Sequence, residues 1–296
     1  MSAVPGAPRR ALRGFDPFRI LSASERRRHL DEFKRFLEQR DGELDIAGRT
    51  LSQRESFFKD LESKPVAWDG EIDHAGFFQH FRGTGTPDID PQTVWLIAVA
   101  KANEAESWGV ELEIDRFLTR GVARADVREL FIVLEELYHT RILLEACRTC
   151  GLDVEIQEPP WHRRWMIRAI FYMPERIRWI PVLCGEALAA VVLKLLYDRC
   201  DLFAEQPEVE ERLKSLLGEI WIDETLHVAY LRAKLGPMSV RASRLLLPVV
   251  VLALMKDVPQ LRKLGCTLGE LFRRARTALE IPPAIEWMEA DPTADA

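Results

Sequence analysis

Two segments of the chain place an acidic residue, a glutamate and a histidine inside apolar, helix-forming sequence. The first reads LEELYHTRIL and the second reads IWIDETLHVAYL. Residues three apart lie on one face of a helix, so Glu136 faces the same way as His139, and Glu224 the same way as His227. Burying a carboxylate is costly unless it is paired or binds a metal. The two segments therefore predict a buried metal site.

Two further glutamates complete a recognisable ligand set. Two Glu-x-x-His helices, with one more glutamate from each of two other helices, are the arrangement of di-iron carboxylate bundles. Glu186 is the only acid within VLCGEALAAVVLKLL, and the midpoint between Glu186 and Glu224 falls in the turn predicted before Pro207. Glu106 shares its helix face with small and apolar residues, whereas Glu104 shares its face with charged ones. We predict Glu106 as the fourth carboxylate, with Glu104 as the alternative.

Charge balance supports a pair of divalent ions at this site. Four carboxylates carry four negative charges, two divalent ions carry four positive charges, and two neutral imidazoles complete a neutral buried site. Oxygen and nitrogen ligands favour iron or manganese, so we predict two iron ions, with a Mn/Fe pair as the alternative. The acid before each motif glutamate, Glu135 or Asp223, points toward the partner helix. There it can accept the Nδ1 proton of the metal-binding histidine from the other motif.

A third Glu-x-x-His, from Glu71 to His74, shows that the bare motif also occurs by chance. It lies between glycines and outside any long apolar helix, so we interpret it as surface or loop. For the other two copies the alternative is a polar core without metal. Their apolar context, the preceding acids and the matching Glu186 favour the metal site. Tyr138 and Trp221, beside the motifs, are interpreted as packing residues.

Composition and charge limit the classes of function. A composition of 47% hydrophobic and 30% charged residues is typical of a soluble globular protein. The net charge of -6 argues against nucleic acid as a partner, since phosphate binding needs a basic face. The N-terminus lacks the apolar segment of a secretory signal. The longest apolar run, LLLPVVVLALM, is short for a bilayer span. We therefore expect a cytoplasmic protein with no membrane span.

Cysteine usage agrees with a reducing compartment. The chain has 5 cysteines, an odd number, mostly inside apparent helices. Cys147 and Cys150 form a lone C-x-x-C with no second pair to complete a zinc site. We interpret them as ordinary small residues of a helix.

Helical periodicity dominates the chain, and we predict an all-α fold, a ferritin-like four-helix bundle with additional flanking helices. The bundle is expected over residues 91–236. Residues 1–90 should form an N-terminal arm and flanking helices, and 237–296 should form helices packed on the bundle and an acidic tail. Pro181 should kink the third long helix. The four long helices are expected at about 91–120, 125–150, 174–203 and 207–236, with a short aromatic helix between the second and third.

These residues give the region 91–236 a resemblance to the ferritin-like di-iron carboxylate superfamily. By size and flanking helices the chain is most similar to single-component oxygenases of the arylamine N-oxygenase type. It carries Tyr138 and Leu226 where monooxygenases and desaturases usually have arginine, and Ile220 where the N-oxygenases have a further histidine. The resemblance rests on Glu106 (or Glu104), Glu135-Glu136-x-x-His139, Glu186 and Asp223-Glu224-x-x-His227.

The resemblance implies an O2-dependent di-iron oxygenase or oxidase that oxidises a small organic molecule by N-oxygenation or hydroxylation. It implies an external electron donor, and a homodimer is among the assemblies it allows. The alternative activities are a ferroxidase, a radical-generating subunit of reductase type, and an acyl desaturase-like oxidase. A helical protein with a structural metal, or with none, is the non-enzymatic alternative.

Overall fold

The computed structural model describes residues 14–81, 83, 88–120, 126–156, 158–277 and 279–285. The predicted all-α class is confirmed, since the described residues form long helices and only four strands of two residues each. Residues 1–13, residues 121–125 after the first long helix, and most of the acidic tail lie outside the described residues. The helices are α1 (Ala23–Arg40), α2 (Ser52–Ser63), α3 (His74–Phe81), α4 (Pro91–Arg120), α5 (Val127–Thr149), α6 (Trp161–Tyr172), α7 (Glu175–Asp198), α8 (Pro207–Lys234), α9 (Pro237–Asp257), α10 (Gln260–Lys263) and α11 (Leu268–Thr277).

The strands form two small antiparallel pairs, and a 3-10 turn extends α7. Pairing of the first strand with the last brings the two ends of the described chain together. The strands are β1 (Gly14–Phe15) paired with β4 (Leu279–Glu280), and β2 (Leu44–Asp45) paired with β3 (Thr50–Leu51); the 3-10 turn is Arg199–Phe203.

Local sequence explains where the helices begin. The Ser22 hydroxyl accepts from the backbone N–H of Glu25, whose carboxylate accepts from the N–H of Ser22, and together these bonds form a capping box. At the start of α4, Asp90 accepts the N–H of Thr93 at 2.7 Å. Asp126 caps α5 in the same manner. These caps satisfy backbone groups that the first turn of a helix leaves free.

The centre of the molecule is a four-helix core made of α4, α5, α7 and α8. Helix α4 packs most extensively on α5, α7 packs on α8, and α5 lies against α8. Helices α7 and α8 are antiparallel, because Glu186 approaches His227 whereas the ring of the later residue Tyr197 contacts that of the earlier residue Trp221. Helix α7 continues on both sides of Pro181. Contacts between α4 and α7 are sparse, and a cavity lies between them.

The remaining helices cover the core on different sides. Helix α1 packs on α8 and α5, whereas α6 packs on α4 and α7, and α9 packs on α7 and α11. One continuous apolar core extends from Phe15 to Ile285, so the three predicted segments share it. All five cysteines are buried and free.

Two segments, Glu175–Phe203 and Pro237–Asp257, are long and apolar enough to cross a membrane by length and composition alone. Over the most apolar part of the first, 56% of the residues are buried inside the protein, compared with 28% in the second. Core helices of soluble proteins pass the same test. The expected absence of a membrane span stays a prediction. The apolar run LLLPVVVLALM is shorter than a bilayer span, but helix α9, which contains it, is long enough for one.

Candidate metal centre

The six predicted ligands converge in the middle of the four-helix core. They form two groups of four, and within each group the potential ligand atoms lie within 4.8 Å of one another. Two carboxylates belong to both groups, so each of them could bridge two ions. Glu104 belongs to neither group. One group is Glu106, Glu136, His139 and Glu224, and the other is Glu136, Glu186, Glu224 and His227.

Both imidazoles turn Nδ1 toward the carboxylates. Nδ1 of His139 lies 3.2 Å from Oε1 of Glu224 and 3.5 Å from Oε2 of Glu136. Nδ1 of His227 lies 3.0 Å from Oε1 of Glu136 and 3.3 Å from Oε2 of Glu186. The two rings are 5.8 Å apart, centre to centre. Each histidine therefore faces one group, and Glu136 lies between the two.

The acids that precede the motif glutamates contact the histidines of the opposite motif, as the sequence predicts. Nε2 of His139 lies 3.0 Å from Asp223, and Nε2 of His227 lies 2.9 Å from Glu135. The predicted atom was wrong, because the acids meet Nε2 rather than Nδ1. Nδ1 is close to the backbone and reaches a site between the helices, whereas Nε2, at the far end of the ring, reaches the neighbouring helix.

Asp223 belongs to a group of charged residues at the end of α1 and on α2 and α8. We call this group the arginine layer (Arg40, Asp41, Arg54, Glu219 and Asp223). Nη2 of Arg54 donates to both carboxylate oxygens of Asp223 at 2.8 Å, and its Nε donates to Asp41 at 2.8 Å. Arg40 also donates to Asp223 and Glu219. Such hydrogen bonds fix the carboxylate that orients a histidine.

Arg40, Arg54, Asp41 and Glu219 were not predicted from the sequence as part of the site. The sequence does contain an indication of the two arginines, because each lies three or four residues from a buried apolar residue of its helix. Arg54 is four residues before Phe58, and both are buried. An arginine in an apolar helical stripe indicates a buried acidic partner.

Burial and mutual repulsion disturb the protonation of the carboxylates. Burial, together with Glu136, raises the pKa of Glu106 to about 8. Burial, together with Glu186, raises the pKa of Glu224 well above its ordinary value. Burial also opposes protonation of His139, but Glu136, Asp223 and Glu106 together outweigh it and raise the pKa of that histidine well above its ordinary value. This concentration of negative charge requires bound protons or metal cations.

The donor atoms fit a pair of metal ions. Both carboxylate oxygens of Glu224 are buried; among the described residues Oε2 has no hydrogen-bond partner and Oε1 has only Nδ1 of His139 nearby, at 3.2 Å. Nδ1 of His139 also makes no hydrogen bond with those residues. Buried polar groups of native proteins normally have partners. Oxygen and nitrogen donors that converge in two groups around shared carboxylates supply the coordination that iron or manganese prefers.

A cavity of about 410 Å³ lies against the carboxylates, between α4, α5, α6, α7 and α9. It is lined by Glu106, Glu136, Glu186 and Glu224 but by neither histidine. The side chains of Glu106, Glu136 and Glu186 are 14%, 16% and 17% exposed, compared with at most 1% for the two imidazoles. The rest of the wall is mainly small and apolar. The carboxylates thus face the cavity and the imidazoles face away from it.

Two basic residues of the cavity wall were not anticipated from the sequence. Arg178 is buried, and its guanidinium lies 3.7 Å from Glu113. Lys101 donates from Nζ to the carbonyl oxygens of Gly83 and Asp257. A substrate in this cavity would therefore meet apolar walls with a few charged groups at fixed places.

The other residues discussed from sequence lie away from the ligand set. Glu71 and His74 are exposed, in agreement with their interpretation as surface or loop. The Tyr138 hydroxyl donates to Glu55 and accepts the N–H of Leu51. Tyr138 therefore anchors α2 to α5. Comparisons with protein-family models, with curated proteins and with solved structures find no match to this chain.

Proposed function

We propose that the protein is a non-haem di-iron oxygenase or oxidase with a ferritin-like four-helix bundle, acting on a small organic molecule. The observation that carries the proposal is the sharing of Glu136 and Glu224 between two adjacent ligand groups, each completed by one glutamate and one histidine. A single-ion site would not require the second group. In a polar core without metal we would expect both oxygens of the buried Glu224 to be hydrogen-bonded, whereas Oε2 has no partner among the described residues.

Bound iron would supply O2 activation, using electrons from an external donor. His139 and His227 would hold the ions through Nδ1, while Asp223 and Glu135 hold the proton on Nε2 and so fix the tautomer of each ring. Glu106 and Glu186 would each complete one group from the cavity side. The four-helix core keeps water from the imidazoles, since both are fully buried.

The cavity favours an organic substrate over the alternative activities. A ferroxidase oxidises iron itself and needs no apolar chamber beside its carboxylates. A radical-generating subunit acts on a partner protein rather than on a bound molecule. A cavity of about 410 Å³ with a mainly apolar wall is within the usual size range of sites for small ligands. N-oxygenation or hydroxylation of a compact, largely apolar molecule is the reaction class we propose.

The test is iron loading under anaerobic conditions, followed by exposure to O2. We expect two irons per chain, O2 consumption and a change in the visible spectrum. His227→Ala should lose at least one iron and the O2 consumption, whereas His74→Ala, which alters the third copy of the motif, should retain both. Full iron content and turnover in His227→Ala would contradict the ligand assignment. Two bound irons without any response to O2 would contradict the proposed activity.

A further inference from the structure

Helix α9 exposes a stripe of large apolar side chains. Leu245, Val249 and Leu252 are 81%, 61% and 57% exposed, and their spacing of four and three residues places them on one side of the helix. The opposite side carries Leu247 and Val251, which are buried. The helix is therefore apolar on both the side packed against the protein and the side facing away from it.

Helix α6 and the start of α7 expose a second set of apolar residues, rich in aromatic rings. Trp161, Trp165 and Tyr172 are 74%, 72% and 86% exposed. Met166 and Ile177 add exposed aliphatic surface at 57% and 50%. Single exposed apolar residues are ordinary, but a cluster of this kind marks an interaction site.

The two sets lie on the same side of the molecule. Helices α6 and α9 both cover the α4/α7 side of the four-helix core, opposite α1. Arg163 on α6 donates to Asp257 at the end of α9 at 2.6 Å. Phe171 on α6 and Val250 on α9 line the same cavity. We call the exposed surface of α6, the start of α7, and α9 the α6–α9 face.

Most charges on the α6–α9 face are positive, and its acids, Glu175 at the start of α7 and Asp257 at the end of α9, are paired with Lys234 and Arg163. Residues 159–174 and 237–256 contain no aspartate or glutamate, although the whole chain carries a net charge of -6. On α6, Arg164 pairs with Glu158. Five other cations are exposed and form no ion pair with the described residues. They are Arg168, Arg176, Arg241, Arg244 and Lys256.

We propose that the α6–α9 face binds the surface of an anionic lipid bilayer, with α6 and α9 lying in the interface rather than across it. Exposed tryptophan and tyrosine beside arginine and lysine are characteristic of the membrane–water boundary. Arg241 and Lys256 flank the apolar stripe of α9, so both can reach lipid headgroups while the stripe enters the acyl region. Helix α9 does not cross the bilayer, because Leu247 and Val251 pack against the protein.

A second copy of the chain fits this face less well. A twofold symmetric interface would place the same surface on both partners. The five unpaired cations would then face one another, while the acids of the face, Glu175 and Asp257, are already paired, which is unfavourable. An anionic headgroup layer supplies the missing negative charge.

The location of the face also bears on the substrate, and this part rests on the proposed function. Helices α6 and α9 carry the face and also form part of the cavity wall. A substrate that partitions into lipid would be concentrated beside that wall. This consequence depends on the proposed function, whereas vesicle binding itself does not depend on iron or O2.

Co-sedimentation of the full-length protein with lipid vesicles tests the proposal. We expect binding to phosphatidylcholine vesicles containing about one third phosphatidylglycerol to be at least about tenfold tighter than binding to pure phosphatidylcholine, and to weaken with added salt. Arg241→Glu/Arg244→Glu should weaken binding about 30-fold or more. Leu245→Ser/Leu252→Ser should weaken it by at least about tenfold.

The matched control is Arg27→Glu/Arg35→Glu, which reverses two exposed charges on α1 and changes the net charge equally. It should alter vesicle binding by less than about twofold. The proposal is overturned if the wild type binds neither kind of vesicle, or if the control pair weakens binding as much as the α9 pair does. It is also overturned if the wild type is a dimer that Leu245→Ser/Leu252→Ser dissociates, with no vesicle binding by either.

Discussion

The two sides of the candidate metal centre are built in different ways. On the side of α1 and α2, the imidazoles are held by acids, and Asp223 is held in turn by Arg40 and Arg54 of the arginine layer. On the side of α6 and α9, the carboxylates face a cavity with a mainly apolar wall. Glu186, for example, has only His227 as a hydrogen-bond partner among the described residues. One side fixes ligand geometry, while the other leaves ligands free to change it.

This difference suits a site that must stay assembled while its ligands rearrange. Histidines held through Nε2 cannot rotate without breaking a buried hydrogen bond. Carboxylates that border a cavity can swing without such a loss. Substitutions on the side of α1 and α2 should therefore change stability and metal affinity. Substitutions of the carboxylates should change the number of metal ions bound.

The largest effect should come from the carboxylates shared by both ligand groups. Glu224→Gln should reduce the metal content from two ions to fewer than one per chain, since Glu224 belongs to both groups. Glu186→Gln, which alters one group only, should retain about one ion. Metal analysis after desalting measures this difference. Equal metal content in the two variants would show that Glu224 does not bridge.

The next largest effect should come from Arg54→Met. Removing this arginine leaves the ionised Asp223 buried with less compensation, which should lower the free energy of unfolding by about 3–5 kcal/mol. Urea denaturation of the metal-free protein measures the loss. Arg49→Met removes an ion pair in which both side chains are exposed and should cost less than about 1 kcal/mol. Similar losses in the two variants would remove the distinction between the arginine layer and the surface.

A smaller effect is expected for the acids that hold the histidines. Asp223→Asn should weaken metal binding about 10–100-fold, because the ring of His139 loses its charged partner. Glu135→Gln makes the equivalent change at His227, and should weaken binding less. The reason is that Arg54 lies 3.8 Å from Glu135 but 2.8 Å from Asp223. Competition with a chelator of known affinity would rank the two variants, and the reverse ranking would contradict a supporting role for the arginine layer.

The smallest effect concerns pH and Asp41. Burial, together with Glu135, raises the pKa of Asp41 from 3.8 to about 8. Between these values the folded protein holds a proton that the unfolded chain has released, so stability falls as pH rises through this range. Between pH 7 and pH 9 the contribution should be about 1 kcal/mol. Asp41→Asn should remove that part of the pH dependence, as thermal unfolding at the two pH values would show. If the dependence of stability on pH were unchanged in Asp41→Asn, Asp41 would not be the group that titrates in this range.

Sequence alone was sufficient for the long helices and for the six residues that converge, but not for the four short strands, α3 or α10. Helix periodicity and capping residues are local properties, so the bounds of α4 and α8 followed from them. Glu106 was favoured over Glu104 by its helix face, and Glu186 by its symmetric position about a turn. Both choices agree with the arrangement in the structure.

The arginine layer could not be predicted in the same way. Arg54 meets Asp223 across 169 positions of sequence, and that contact depends on how α1 and α2 pack on the core. Periodicity places Arg54 on a buried face but does not name its partner. The choice between Nδ1 and Nε2 likewise depends on the distances between helices, which no local rule supplies.

The buried cysteines have a consequence for how opening of the protein can be followed. Burial raises the pKa of the thiols of Cys147 and Cys184 to about 12. A protonated thiol is a poor nucleophile, and a buried one is inaccessible to reagents. Alkylation at neutral pH should therefore occur only after the helices around each cysteine have separated. The rate at which each cysteine is alkylated would therefore report which part of the core opens first.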